Sequence, residues 1–440
     1  MFGFRAGRAG MSVSFRFSLP RRFHSLALAL VLVGLVGLSG CGDTYSESLS
    51  YNKRTDPVLI PTVLIDVGEL PEPDRPGQLP LLRMTDFDDP RNPFHEKKSK
   101  LLAGNSPDFV DPASLTGSER DALEEILTER FGKPAHPTVD VKYDGVSAAD
   151  TKRYDKWIAD LKLDDETLKG GSRLYRLHCL QCHGLNGDGR GPTARWVNPH
   201  PRDYRAGVFK FQSVDQSEGT RKPRREDLRR TIDHGLEGTA MPAFNTLPEV
   251  ELGQLVSYVI HLSIRGQAEQ EALQRIVTSK EEAAIRAFLV GKRERRLAKI
   301  LEEWQKSQDA KLLIQPGKYD ASKFASKEAM TTSVQNGHRL FLLNCGTCHN
   351  DYGRQAPFKM DQWGTLVRAA NLTAGVYRGG RRPIDFYWRI HSGIRPSGMA
   401  PQARVGGTGS LEPDQIWDVV NFLQVLPYPA MRKEYGIELN

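Results

Sequence analysis

The chain has 440 residues, of which 39% are hydrophobic, enough for two to four domains and too few for a polytopic membrane protein. Its formal net charge of +7 is concentrated at the N-terminus, where residues 1–40 hold five arginines and no acid. Without them 56 basic residues face 54 acidic ones, near +2, so composition gives no support for nucleic-acid binding.

In chain order, Arg21 and Arg22 precede an apolar run at 25–38, too short for an ordinary transmembrane helix and followed by Leu38-Ser39-Gly40-Cys41. Small residues directly before a cysteine resemble the lipobox of bacterial lipoproteins. That resemblance implies a signal peptide over 1–40, lipidation of Cys41 and stable anchoring by several acyl chains. An ordinary secreted protein with an incidental cysteine is the alternative. No later stretch is long and apolar enough to span a bilayer.

Residues 41–150 are rich in Pro, Asp and Ser and read as an extended membrane tether. It carries one helix at about Glu119–Phe131, capped by Thr116 or Ser118, with Leu123, Ile126 and Leu127 on one face and Gly132 and Pro134 ending it. Residues 151–266 form a first domain. Residues 267–327 read as a charged helical linker, in which Leu297, Ile300, Leu301 and Trp304 follow helical spacing. Its basic run is either a solvated face or a partner-docking arm. Residues 328–440 form a second domain.

The two domains are internal repeats. Gly171, Leu174, Tyr175 and Leu177 stand eight, five, four and two residues before Cys179, and Gly337, Leu340, Phe341 and Leu343 stand at the same offsets before Cys345. Asp227, Leu228, Ile232 and Gly235 precede Met241 by 14, 13, 9 and 6 residues, and Asp385, Phe386, Ile390 and Gly393 precede Met399 by the same counts. The last helices of the repeats also align, placing Tyr258 opposite Phe422.

The five cysteines are Cys41 and two C-x-x-C-H motifs, Cys179-Leu180-Gln181-Cys182-His183 and Cys345-Gly346-Thr347-Cys348-His349. This is the attachment signature of c-type heme. Two thiols on one turn add to the two vinyl groups on one porphyrin edge, and the following histidine lies under the iron. A four-cysteine zinc site is the competing reading, but the second pair begins 163 positions after the first ends and each pair brings its own histidine. Thioredoxin-like redox activity would leave the histidines unexplained. Met241 and Met399, 58 and 50 residues after their histidines, fall in matching proline-flanked loops and supply the second axial ligand. Core packing is the plain alternative for each, and Met360 is a rival for the second site. Thioether ligation raises the reduction potential of the iron.

Together these motifs resemble the class I cytochrome c domain, twice over. The resemblance covers about half of the chain and implies a mainly α fold: two class I cytochrome c domains joined by the charged helical insert, with the extended N-terminal tether. It implies two heme c groups, bound through Cys179, Cys182, Cys345 and Cys348, with His183, Met241, His349 and Met399 as axial iron ligands. First and last helices would cross at Gly171 and Gly337, with Tyr175 on Tyr258 and Phe341 on Phe422. A proline carbonyl, of Pro192 or Pro357, would accept a bond from the ligating imidazole. His178, His234 and His391 are alternative ligands. Arginines near the axial loops (Arg221, Arg224, Arg225, Arg229, Arg230, Arg378, Arg381, Arg382, Arg395) would pair with heme propionates or form a positive rim.

The function expected is that of an electron carrier rather than an enzyme, with no catalytic residue. Its partners would be a quinol-oxidising complex, a terminal oxidase or a periplasmic oxidoreductase, with no nucleic acid and no small-molecule substrate. A periplasm-facing location in a bacterial cell envelope follows from the lipobox. A diheme peroxidase-like enzyme and a non-catalytic heme subunit of a respiratory complex are the alternatives.

Overall fold

Each repeat closes by crossing its first helix over its last, and a glycine sets how closely the two approach. The computed structural model describes residues 45–56, 58–59, 109–215, 221–279, 283–316, 326–360, 366–404 and 409–439, all within one compact unit, Thr44–Asn440. The expected signal peptide, Cys41 and much of the expected tether lie outside these residues.

The helices are α1 (Gly117–Phe131), α2 (Ala148–Asp160), α3 (Asp165–His178), α4 (Leu180–His183), α5 (Arg225–His234), α6 (Glu249–Ser279), α7 (Ala283–Val290), α8 (Arg296–Lys306), α9 (Lys327–Asn344), α10 (Pro383–Ser392), α11 (Pro413–Val425) and α12 (Pro429–Glu434). Among the described residues the strands form only three short antiparallel ribbons, pairing Val58–Leu59 with Phe109–Val110, Gly132–Lys133 with His136–Pro137, and Phe358–Met360 with Leu366–Arg368. The fold is mainly α, as the repeats imply. No described helix is long and apolar enough to cross a membrane.

In the first domain α3 crosses α6 at Gly171, where an added Cβ would lie 2.2 Å from the Gln254 carbonyl oxygen. In the second, α9 crosses α11 at Gly337, over the Asp418 carbonyl. Side chains in both crossings would hold the backbones apart. Tyr175 meets Tyr258 at 5.2 Å between ring centroids, and Phe341 meets Phe422 at 5.5 Å.

The described part of the expected tether is packed, not extended. Helix α1 begins with the Thr116 capping box and ends at Gly132, close to the expected bounds, and its Leu123, Ile126 and Leu127 join the first core. Residues 45–56 also lie on this core: the Tyr51 hydroxyl sits 3.1 Å from both Tyr258 Oη and His261 Nε2. The linker reading is revised as well. Helix α6 runs on from the first domain through Ala268, Ala272, Leu273 and Ile276, all buried, and α8 buries Leu297, Ile300, Leu301 and Trp304 against the same core. The apolar stripe of α8 therefore extends the first domain; its basic face is neutralised in part by Glu271 and Glu303, which pair with Arg296.

The domains touch through Arg381 and Glu237, Arg230 over the Trp388 ring at 4.7 Å, and the approach of Gly238 to Val376.

Two candidate heme-attachment sites

Helix α3 is started by the Asp164 side chain, which accepts from Thr167 N–H, and it ends in the attachment turn. The turn is wound by Cys179 N–H donating to the Tyr175 carbonyl (2.8 Å) and His183 N–H to the Cys179 carbonyl (2.9 Å). Gly184 leaves it with φ +73°, a conformation open to glycine, and the Tyr175 hydroxyl donates to its carbonyl at 2.9 Å. The second site repeats the winding: Cys345 N–H to Phe341 O and His349 N–H to Cys345 O, both 2.8 Å. Here the exit from the motif differs, since Asp351 and Tyr352 take positive φ (48° and 55°). Tyr352 is buried, and its hydroxyl lies 2.8 Å from His338 Nε2.

Among the described residues, the four motif cysteines form no disulfide. The first of each pair packs against its domain's core, and burial pushes both the Cys179 and Cys345 thiols up to about 12. The second lies nearer the surface; Cys182 Sγ is 3.3 Å from the Thr193 hydroxyl and Cys348 is exposed. The pairs belong to separate cores, and no three His, Cys, Asp or Glu among the described residues converge as a metal site. A shared four-cysteine zinc centre therefore has no geometry here.

His183 Nδ1 lies 3.0 Å from the Arg202 carbonyl and His349 Nδ1 3.2 Å from the Ala370 carbonyl. A carbonyl only accepts, so each Nδ1 carries the proton and each Nε2 keeps its lone pair for a metal. Burial lowers the pKa of both imidazoles, that of His183 to about 4, which keeps them neutral as ligation requires. Tyr204 stacks on His183 at 4.7 Å. The expected acceptors, Pro192 and Pro357, are thus replaced by Arg202 and Ala370. A repeat signal passed over in the sequence marks them: Ala206-Gly207-Val208-Phe209 follows Arg202 at the offsets at which Ala374-Gly375-Val376-Tyr377 follows Ala370. The loops between histidine and acceptor differ by two residues, which hid the match.

Met241 and Met399 are half-buried, and each packs against the core that its cysteine joins. Their loops are built alike. Leu236 N–H donates to the Met241 carbonyl and Ile394 N–H to the Met399 carbonyl. Gly235 and Gly393, both at positive φ, close the preceding helices against these loops. The alternative histidines are engaged elsewhere: His234 Nδ1 faces Asp233 at 3.1 Å and His391 Nδ1 faces the Ser392 hydroxyl at 3.3 Å. His178 packs edge-on against Phe244.

Several arginines expected at a propionate or rim position serve the fold. Arg225 donates to the Leu161 and Gly253 carbonyls and the Ser257 hydroxyl, Arg229 pairs with Glu226, Arg230 with Asp227 and Arg382 with Asp385. His261 is fully buried between Tyr51 and Tyr258.

These residues fit a covalently held heme in each domain: paired free thiols on one turn, a neutral imidazole with its tautomer fixed, and a thioether on the same core. Residues 166–259 match the family described as cytochrome c oxidase, cbb3-type, subunit III, and residues 334–427 match cytochrome c. No curated protein matches the chain. Among solved structures, a chain of the reducing HAO-like protein complex of Kuenenia stuttgartiensis is 22% identical, with 59% of this chain and 96% of that one covered and a TM-score of 0.40.

Proposed function

From two cytochrome c domains in one chain, implying two covalently bound heme c groups and heme-based electron transfer, we propose that this protein is a lipid-anchored carrier of single electrons. It would work between membrane or periplasmic respiratory partners: a quinol-oxidising complex, a terminal oxidase or a periplasmic oxidoreductase. Heme held at the two sites supplies reversible one-electron exchange at iron.

The observation that carries the reading is the duplication of one arrangement of cysteine, histidine and methionine side chains. Arg202 and Ala370 carbonyls hold His183 and His349 as Nδ1–H tautomers, and Met241 and Met399 pack on the same cores as Cys179 and Cys345. With histidine and methionine both bound at each iron, no position would be left for substrate, which favours a carrier over a peroxidase-like enzyme. The methionine loops, stiffened by Pro242 and Pro401, keep both ligands in place through a redox cycle with little rearrangement.

Absorbance spectroscopy of the purified protein tests this. The reading predicts the long-wavelength sulfur-to-iron band in the oxidised protein and no carbon monoxide binding to the reduced one. Carbon monoxide binding at either site would favour the enzyme.

A further inference from the structure

Residues 45–56 form a strap fixed to the first domain beside its attachment turn. Tyr45 is buried, with the Arg176 guanidinium 5.7 Å from its ring centroid, and Arg176 lies three residues before Cys179. Tyr51 bonds Tyr258 and His261, Asn52 exchanges two hydrogen bonds with Asn186, and Asp56 accepts from both terminal nitrogens of Arg205 at 2.8 Å. Lys53 reaches Asp121 and Glu47 reaches His136. Four peptide units separate Cys41 from Tyr45, so that stretch spans at most about 14 Å even fully extended.

We infer that the strap holds the first heme domain directly on the lipid surface, with the Cys179–His183 turn facing the membrane rather than swinging on a long tether. This rests on the lipid anchor proposed above. The occupant of this face is the bilayer because the chain leaves the strap only four residues from the acylated cysteine. The surface around the turn suits an interface. Leu177 is 47% exposed and Trp196 66% exposed, and the two flank the attachment turn along the chain; Arg176 and Arg195 adjoin them. Thr193, three residues before Trp196, donates to the Gln181 carbonyl inside the turn. Tryptophan and leucine beside arginine, with the Arg195 guanidinium 5.0 Å from the Trp196 ring centroid, is the usual composition of such a face. The first domain is then placed for a membrane-bound partner.

The test is hydroxyl-radical footprinting of the full, heme-loaded, lipidated protein on vesicles of phosphatidylethanolamine and phosphatidylglycerol. It is compared with a variant carrying twenty Gly/Ser residues between Asp43 and Thr44, a linker with a root-mean-square reach of about 25 Å. Labelling of Trp196 is lost on vesicles for the natural chain and restored in the variant. Equal labelling in both forms, with the lipid confirmed by mass, overturns the inference and leaves the anchor standing. Absence of lipid from the mature N-terminus overturns the anchor, and this inference with it. Loss of Trp196 labelling in a soluble Cys41→Ser form at the same concentration points to a second copy on this face, which also overturns it.

Discussion

Replacing Gly171 by alanine sets two effects of opposite sign against each other. Alanine in a helix interior gains about 1 kcal/mol over glycine. Against this, the new Cβ would lie 2.2 Å from the Gln254 carbonyl oxygen and 2.8 Å from Tyr258 Cβ. Relaxing the first contact to the ~3.3 Å of a close C–H···O approach requires α3 and α6 to part by about 1 Å. The obstacle is backbone, which cannot rotate away, so the overpacking cost falls at the upper end of its range, about 3 kcal/mol. The net loss is about 2 kcal/mol, and for a domain of this size the melting temperature falls by about 4–8 °C. Gly253 on α6 is the control: an added Cβ there meets nothing within 4 Å, so Gly253→Ala gains stability. Thermal unfolding of the heme-loaded protein, followed by far-ultraviolet circular dichroism, reads both. A Gly171→Ala variant as stable as the natural chain, with Gly253→Ala stabilising, would refute the close crossing.

Met241→Ala and Met399→Ala should each lower the potential of one heme, abolish its sulfur-to-iron band and open it to carbon monoxide; redox titration and spectra check this. Asp56→Ala should loosen the strap: buried Arg205 loses one of its two carboxylate partners and keeps Asp203, at a cost of about 1.5–3 kcal/mol. Faster proteolysis between residues 45 and 56 would show it. Burial raises the Asp56 carboxyl, but Arg205 and Arg54 outweigh it and hold the group well below the usual carboxylate range. Its contribution is therefore fully present above the unfolded carboxylate pKa of about 4 and is lost only as acid takes the pH down toward the folded value. Strap protection should persist at pH 5 and fail only in strong acid; failure between pH 6 and 7 would contradict the pairing. Glu237→Ala, which removes the half-exposed partner of Arg381, should cost less than about 1 kcal/mol in thermal unfolding.

The sites and the helix crossings were readable because they rest on local offsets: Gly171 and Tyr175 before Cys179, and Ile232 and Gly235 before Met241, recur in the second domain. Helix α1 was readable from its cap, because Thr116 and Glu119 carry their own signal. What stayed hidden depends on partners far along the chain. Asp56 meets Arg205 across 149 positions and Tyr51 meets His261 across 210, in a segment with no periodicity of its own. A polar, proline-rich stretch therefore read as a tether although its described parts are fastened to the first domain. The stripe of α8 was visible, but periodicity shows that a face is buried and not which core buries it. The imidazole acceptors were missed for a related reason: a backbone carbonyl carries no side-chain signature, and the loops leading to Arg202 and Ala370 differ in length.

Covalent attachment of heme at both duplicated motifs is what every functional statement depends on, and intact mass of the denatured protein measures it directly. The natural chain should carry the increment of two macrocycles, and the double variant Cys345→Ser/Cys348→Ser should keep one. A chain without any increment, produced where c-type maturation is active, would contradict the assignment.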